Sequence, residues 1–143
     1  MLLEQLSIFL ENRAGRMIEV TRVLAESNIN ILAMSLADTA DFGILRLVVD
    51  DSEKAKRVLG EKGFTVGRTS VVAVRVNNEP GGLNRVLEII QKASINVEYL
   101  YAYTQQGAGG QAVIVFRFDR NEQALEALMR GNIPVLSMKG MLA

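Results

Sequence analysis

The chain has no cysteine and no histidine. Without thiols there is no disulfide, no thiolate nucleophile and no Cys/His metal site. Without imidazole there is no side chain whose ordinary pKa suits proton transfer near neutrality. Neither sign of charge is in excess: 16 Lys and Arg stand against 16 Asp and Glu. Such a balance gives no electrostatic footprint for nucleic acid or for an anionic membrane. The apolar runs are only of strand length, so none is expected to span a bilayer. The opening stretch MLLEQLSIFLENR carries no basic residue before its apolar part and no small-residue cleavage site. No signal peptide is expected, and the expected location is cytoplasmic.

What the sequence does contain is a repeat. ENRAGRMIEVTRVLAESNINI returns as NNEPGGLNRVLEIIQKASINV, with Gly15 on Gly81, Val20 on Val86, Ile29 on Ile95 and Asn30 on Asn96 at an offset of 66. The offset becomes 69 further on, where Asp50 meets Asp119, Leu59 meets Leu128 and Val66 meets Val135. A three-residue insertion between strands explains the change. The 143 residues therefore divide into two copies, expected at 1–68 and 69–143. Each is near the lower size limit for a self-sufficient core.

Hydrophobic spacing gives the elements. Leu6, Ile8 and Leu10 alternate with Ser7 and Phe9, as Val72, Val74 and Val76 do in the second copy. Period two predicts a first strand with one buried face. After a turn holding Gly15 or Gly81, Met17, Val20, Thr21 and Leu24 share a helical face, as do Leu83, Val86, Leu87 and Ile90. A second strand starts at Asn30 or Asn96. A third runs over 44–49 or 113–118. A second helix follows, with Asp50, Asp51 and Ser52 or Asp119, Arg120 and Asn121 available as caps. A short fourth strand closes each copy. The order β-α-β-β-α-β predicts an α+β fold: two tandem ferredoxin-like domains, each an antiparallel sheet with both helices on one face.

The turn, helix and strand-entry residues carry a resemblance. Asn78, Pro80, Gly81, Leu83, Ile95 and Asn96 form an N-x-P-G-x-L segment followed by x-I-N-V. The first copy has Ala14 for the proline and Met17 for the leucine. Over essentially its whole length the sequence resembles a tandem ACT domain protein, a regulatory module of amino-acid metabolism. The resemblance implies an amino-acid site where two such domains meet, at the first βα loop of one and the start of strand two of its neighbour. It also implies a regulated enzyme supplied in trans, because no catalytic domain is attached here.

The implied ligand residues are Asn12, Arg13, Ala14, Gly15, Arg16, Met17, Asn28 and Asn30 in the first copy. In the second they are Asn78, Glu79, Pro80, Gly81, Gly82, Leu83, Ser94 and Asn96. The loops supply free N–H groups at a positive helix end, which suits the carboxylate of an amino acid or a similar small acid. Gly15 and Gly81 permit positive φ and close approach. Any tight strand-to-helix turn also favours Gly and Asn. Asn30 and Asn96 offer an amide to an ammonium group, or simply tolerate a left-handed turn. Arg13 and Arg16 against Glu79 and Gly82 make the first loop the better match for an anion.

Other strings have simpler explanations. Tyr99, Tyr101 and Tyr103 alternate, which puts all three on one sheet face, suited to packing or an interface. Asp41-Phe42-Gly43 spells a kinase tripeptide in a hairpin with no other kinase element. Gly107-Ala108-Gly109-Gly110 links two strands and opens no helix, which is a hairpin or flap and not a phosphate cradle. No catalytic residue, metal or cofactor is expected. A ligand-free interaction module of the same fold is the alternative function. An RNA-binding module is a weaker one, since GILRLVVD and AVIVFRFD lack an aromatic platform. The apolar face opposite the helices (Phe9, Ile44, Val48, Val113, Val115) and the small cores predict edge-to-edge packing of the copies and a homodimer.

Overall fold

The computed structural model describes residues 2–38, 41–105 and 110–142. The elements in chain order are β1 (Leu3–Glu11), α1 (Arg16–Glu26), β2 (Ile31–Asp38), β3 (Phe42–Val49), α2 (Ser52–Glu61) and β4 (Thr65–Asn77). They continue as α3 (Gly82–Lys92), β5 (Val97–Gln105), β6 (Gln111–Phe118), α4 (Asn121–Arg130), β7 (Val135–Leu136) and α5 (Met138–Leu142). The chain forms two compact units, Glu4–Thr69 and Ser70–Ala143, the second also taking Met1–Leu3. Leu2 packs against the second unit's core. β4 thus serves as fourth strand of the first copy in its early residues and as first strand of the second in its later ones.

In the first unit the strands lie in the order β4-β1-β3-β2. β1 and β3 are antiparallel with Leu6 opposite Leu47 and Ile8 opposite Leu45. These four, with Leu10 and Val49, face Val20 and Leu24 of α1 and Ala55 and Leu59 of α2 in one core. The second unit repeats the pattern as β7-β4-β6-β5. Val72 lies opposite Phe116 and Val74 opposite Ile114, under Val86 and Ile90 of α3 and Ala124 and Leu128 of α4. Both copies are therefore ferredoxin-like, with two helices on one sheet face, as the spacing predicts.

All four long helices end alike. Asn28, Gly63, Ser94 and Asn132 take left-handed conformations with φ of 57°, 88°, 56° and 59°. The next residue donates its N–H back five positions: Ile29 to Leu24, Phe64 to Leu59, Ile95 to Ile90 and Ile133 to Leu128, at 2.9–3.2 Å. Each of these eight side chains is buried. The bond satisfies an orphan helix carbonyl, and the apolar pair seals it against water. At the N-termini, Asp51 caps α2 by accepting from Lys54 N–H at 3.1 Å. α4 has no such cap. There Asn121 Oδ1 accepts instead from Phe118 N–H at 2.9 Å.

The expectation of one buried face per first strand holds for β1, where Phe9 is 50% exposed. It fails for the second copy. Val71, Val72, Ala73 and Val74 are all buried, and so are Val113 through Phe116. Val48, Val113 and Val115, expected to await a partner, are buried within the single chain, while Ile44 is only partly so. Part of the cover in the second copy is α5, a segment too short to place from sequence. Its Met141 is buried and its Sδ accepts from the Tyr103 hydroxyl at 3.6 Å. Tyr99, Tyr101 and Tyr103 lie opposite Arg117, Val115 and Val113, which puts all three on the helix-free face.

Two measurements probe these features. Beyond its chain neighbours, no atom lies within 4 Å of where a Cβ would stand on Gly63, so Gly63→Ala is charged chiefly with backbone strain. It should cost about 1–3 kcal/mol in urea denaturation, whereas Ser94→Gly should gain up to ~1 kcal/mol by relieving the left-handed cost. Equal effects of the two would refute the role given to these turns. Burial raises the pKa of the Tyr103 phenol, with the Arg75 charge opposing it. The folded state then holds this proton more tightly than the unfolded chain. The associated stability is whole below pH ~10 and declines as pH rises through the higher folded value. Tyr103→Phe should show a smaller alkaline loss in urea midpoints measured on either side of pH ~10.

Candidate functional site

The first βα loop is built by a strand that ends early. Arg13 N–H turns back to the Glu11 carbonyl at 2.8 Å, and Asn12 N–H reaches the Asp41 carbonyl at 3.1 Å. Asp41-Phe42-Gly43 is therefore a hairpin that closes on the loop, with Phe42 opposite Glu11. Gly15, at φ 89°, precedes α1 and no side chain caps the helix. Arg16 N–H is engaged by the Arg13 carbonyl and Glu19 N–H by Gly15. Among the described residues, the N–H groups of Met17 and Ile18 have no acceptor.

Beside this helix start lies a cleft of about 240 Å³ lined by Leu10, Glu11, Asn12, Arg13, Arg16, Met17, Leu36 and Gly43. Four of the eight first-copy residues expected from sequence meet there: Asn12, Arg13, Arg16 and Met17. Arg13 is spoken for by Glu11, with Nε 3.0 Å from the carboxylate. Arg16 is held more firmly. Its Nη1 is 2.6 Å from Glu19, and its guanidinium lies 4.5 Å over the Phe64 ring. Only 18% of its side chain is exposed, and its Nε is a buried donor without an acceptor.

Asn28 and Asn30 do not join this cleft. They precede β2, and β2 runs beside β3 from Ile31 opposite Val49 to Asp38 opposite Gly43. The cleft is at the Gly43 end and the asparagines are at the Val49 end, roughly 20 Å away for a strand of this length. Asn28, not Asn30, takes the left-handed turn. Asn30 exchanges hydrogen bonds with Asp50: its N–H donates to Oδ1 at 3.0 Å and its carbonyl accepts from Asp50 N–H at 3.1 Å. Asn96 and Asp119 repeat both bonds, and Ser94 repeats the turn, its carbonyl accepting from Arg120. The backbones of Asn30 and Asn96 are structural, and both side chains are exposed.

The second βα loop has the same backbone. Gly81 has φ 90° and no side chain caps α3. Gly82 N–H is engaged by the Glu79 carbonyl. Asn78 N–H donates to the Gly110 carbonyl at 2.6 Å; Gly107, Ala108 and Gly109 lie outside the described residues. Yet its cleft, of about 200 Å³, lies on the other flank of the loop. Arg75, Val76, Asn77, Gly82, Arg85, Gln111, Asn132, Ile133 and Pro134 line it. Of the eight second-copy residues expected from sequence only Gly82 takes part. Asn78, Glu79, Pro80, Gly81, Leu83, Ser94 and Asn96 do not. Leu36 and Gly43 in the first cleft, and the two arginines in the second, come from strands and helix positions that no turn motif marks.

Among the described residues no group of three or more His, Cys, Asp or Glu is placed to hold a metal ion, and no helix is long and apolar enough to cross a membrane. No curated protein matches the chain. A solved structure of protein BT0572 from Bacteroides thetaiotaomicron is similar over 99% of this chain and 96% of its own, with 38% identity and a TM-score of 0.93. The regulatory subunit of aspartate kinase from Thermus thermophilus, in its ligand-free form, shares the fold with a TM-score of 0.63 and 15% identity over 89% of this chain and 91% of its own. That from Thermus flavus does so with a TM-score of 0.57 and 17% identity over 90% and 92%. Residues 1–142 match the family model of the ACT domain pair, and the chain belongs to that family.

Proposed function

We propose that the chain is a non-catalytic regulatory protein that binds a free α-amino acid in the first-copy cleft and acts on a separate enzyme of amino-acid metabolism in the cytoplasm. Membership of the ACT domain pair supports a ligand-binding regulatory role. The observation that carries the assignment is the cleft of about 240 Å³ at the start of α1, with Arg16 and Met17 in its lining and the N–H groups of Met17 and Ile18 open beside it. A carboxylate there gains charge-assisted hydrogen bonds and the positive end of a helix. Leu10, Met17 and Leu36 supply the apolar wall for a side chain. The volume suits a small metabolite, lying below the ~300–1,000 Å³ of sites for larger ligands.

Asn30 and Asn96 can meet the ammonium group of such a ligand only from another copy of the domain, because each lies at the far end of its own. A homodimer is one way to supply it. Phe9, Met34, Leu36 and Phe42 are large apolar side chains left exposed in the first copy and give a second chain something to cover.

A thermal-shift screen with the twenty amino acids tests the proposal. A ligand that binds only the folded state stabilises it by about 2.7 kcal/mol at a hundred times its Kd. Arg16→Gln should weaken the best ligand by about 1.5–3 kcal/mol, the usual worth of a hydrogen bond to a charged group. Gly15→Val should weaken it too, through the turn. If no amino acid shifts the melting temperature at millimolar concentration, the sensor reading fails and a ligand-free interaction module replaces it.

A further inference from the structure

The first cleft has two chemically different sides. Asn12, Arg13 and Arg16 line it from the loop and the helix start, and Leu10, Leu36 and Gly43 line it from the sheet. The register puts Gly43 of β3 opposite Leu10 of β1. It puts Leu36 of β2 opposite Leu45, a core residue of the helix-covered face. Leu36 is on that same face, yet it is 52% exposed. It leans inward nonetheless. Its Cδ1 would lie 3.3 Å from a Cβ on Gly43, and Gly43, with no side chain of its own, is buried. The leucine therefore lies across the glycine and presents its free side to the cleft.

The repeat shows that this wall is particular to the first copy. The offsets put Ala102 at the position of Leu36 and Ala112 at that of Gly43. Ala102 lies opposite Ile114 as Leu36 lies opposite Leu45. Two alanines in place of a leucine over a glycine remove the overhang, and the second copy's cleft lies on the other flank of its loop. A half-exposed leucine on an edge strand is a liability in water. An aliphatic group in the cleft buries it, and each methylene buried is worth about fourfold in affinity. A charged or hydroxylated chain on the same wall loses water and meets no polar side chain on Leu10, Leu36 or Gly43.

We propose that the ligand of the first cleft is an aliphatic α-amino acid, and that Leu36, lying over Gly43, selects it. The proposal rests on the amino-acid reading of that cleft and adds the class of side chain to it. Calorimetry on the full chain with alanine, leucine, aspartate and lysine is the test. Leucine should bind about ten- to fiftyfold more tightly than alanine, and aspartate and lysine no more tightly than alanine. Leu36→Ala should cut the leucine preference about three- to tenfold and leave alanine binding as in the unaltered chain. The second copy carries alanine at this position, so the strand accommodates it. Met34→Ala is the control. Met34 is exposed two residues away on the same face of β2 but is not in the lining of the cleft, and its loss should leave leucine binding unchanged. Leucine binding no tighter than alanine, or aspartate or lysine binding as tightly as leucine, would overturn the proposal and leave the amino-acid reading standing. So would an unchanged preference in Leu36→Ala, or the same loss in Met34→Ala. Binding of no amino acid at all would remove both.

Discussion

The fold depends on how its helices stop. Each of the four long helices must hand the chain to a strand that runs back under it, and each does so through one left-handed residue and one buried apolar residue. The left-handed residue reverses the backbone, and the N–H that follows satisfies a carbonyl one turn earlier. The apolar residue then enters the core before the strand begins. Strand phase follows from this. Once Ile29 or Ile95 is buried, the residues two and three further on have a fixed choice of face. The Asp50 and Asp119 carboxylates add a second restraint by holding the backbone of Asn30 and Asn96 at the strand entries.

With the ends of the helices held alike, the two copies keep one backbone and differ in side chains. The difference is concentrated near the two βα loops. The first copy keeps large and charged groups at the helix start, and its cleft opens toward the β2–β3 hairpin. The second keeps glycine there, and its cleft opens toward the β7 entry. A repeat of this kind gives two different clefts from one scaffold, because a few positions decide which flank of the loop is filled.

Much of the fold was legible because the repeat supplies an internal check. Leu24 with Ile90, and Leu59 with Leu128, share both offset and periodicity, and each pair is buried in equivalent places. Burial of Val71, Ala73, Val113 and Val115 was not legible. Period two reports one face of a strand, and cover for the other comes in part from the five-residue α5, which has too few turns to show a pattern. The lining of the first cleft was half legible. Turn chemistry marked Asn12 to Met17. It could not mark the lining of the second cleft, in which Gly82 alone of the residues expected from sequence takes part. Nor could it tell that Asn30 and Asn96 spend their backbone groups on Asp50 and Asp119.

Positions 16 and 82 show why the copies are not interchangeable. Gly15 and Gly81 have nearly identical dihedral angles, so the loops look alike at the level of the backbone. Yet a Cβ placed on Gly82 would lie 2.3 Å from the Asn77 carbonyl oxygen, a distance at which the backbone must move. The first copy carries an arginine at that position, and its turn is wider. Arg16 N–H to the Arg13 carbonyl is 3.5 Å, against 3.1 Å for Gly82 to Glu79. Glycine therefore does two things at once. It lets α3 begin tight against β4, and it removes the side chain that would have filled the cleft. The same substitution tightens the turn and leaves the second cleft open, so the shape of that cleft follows from the packing of its helix.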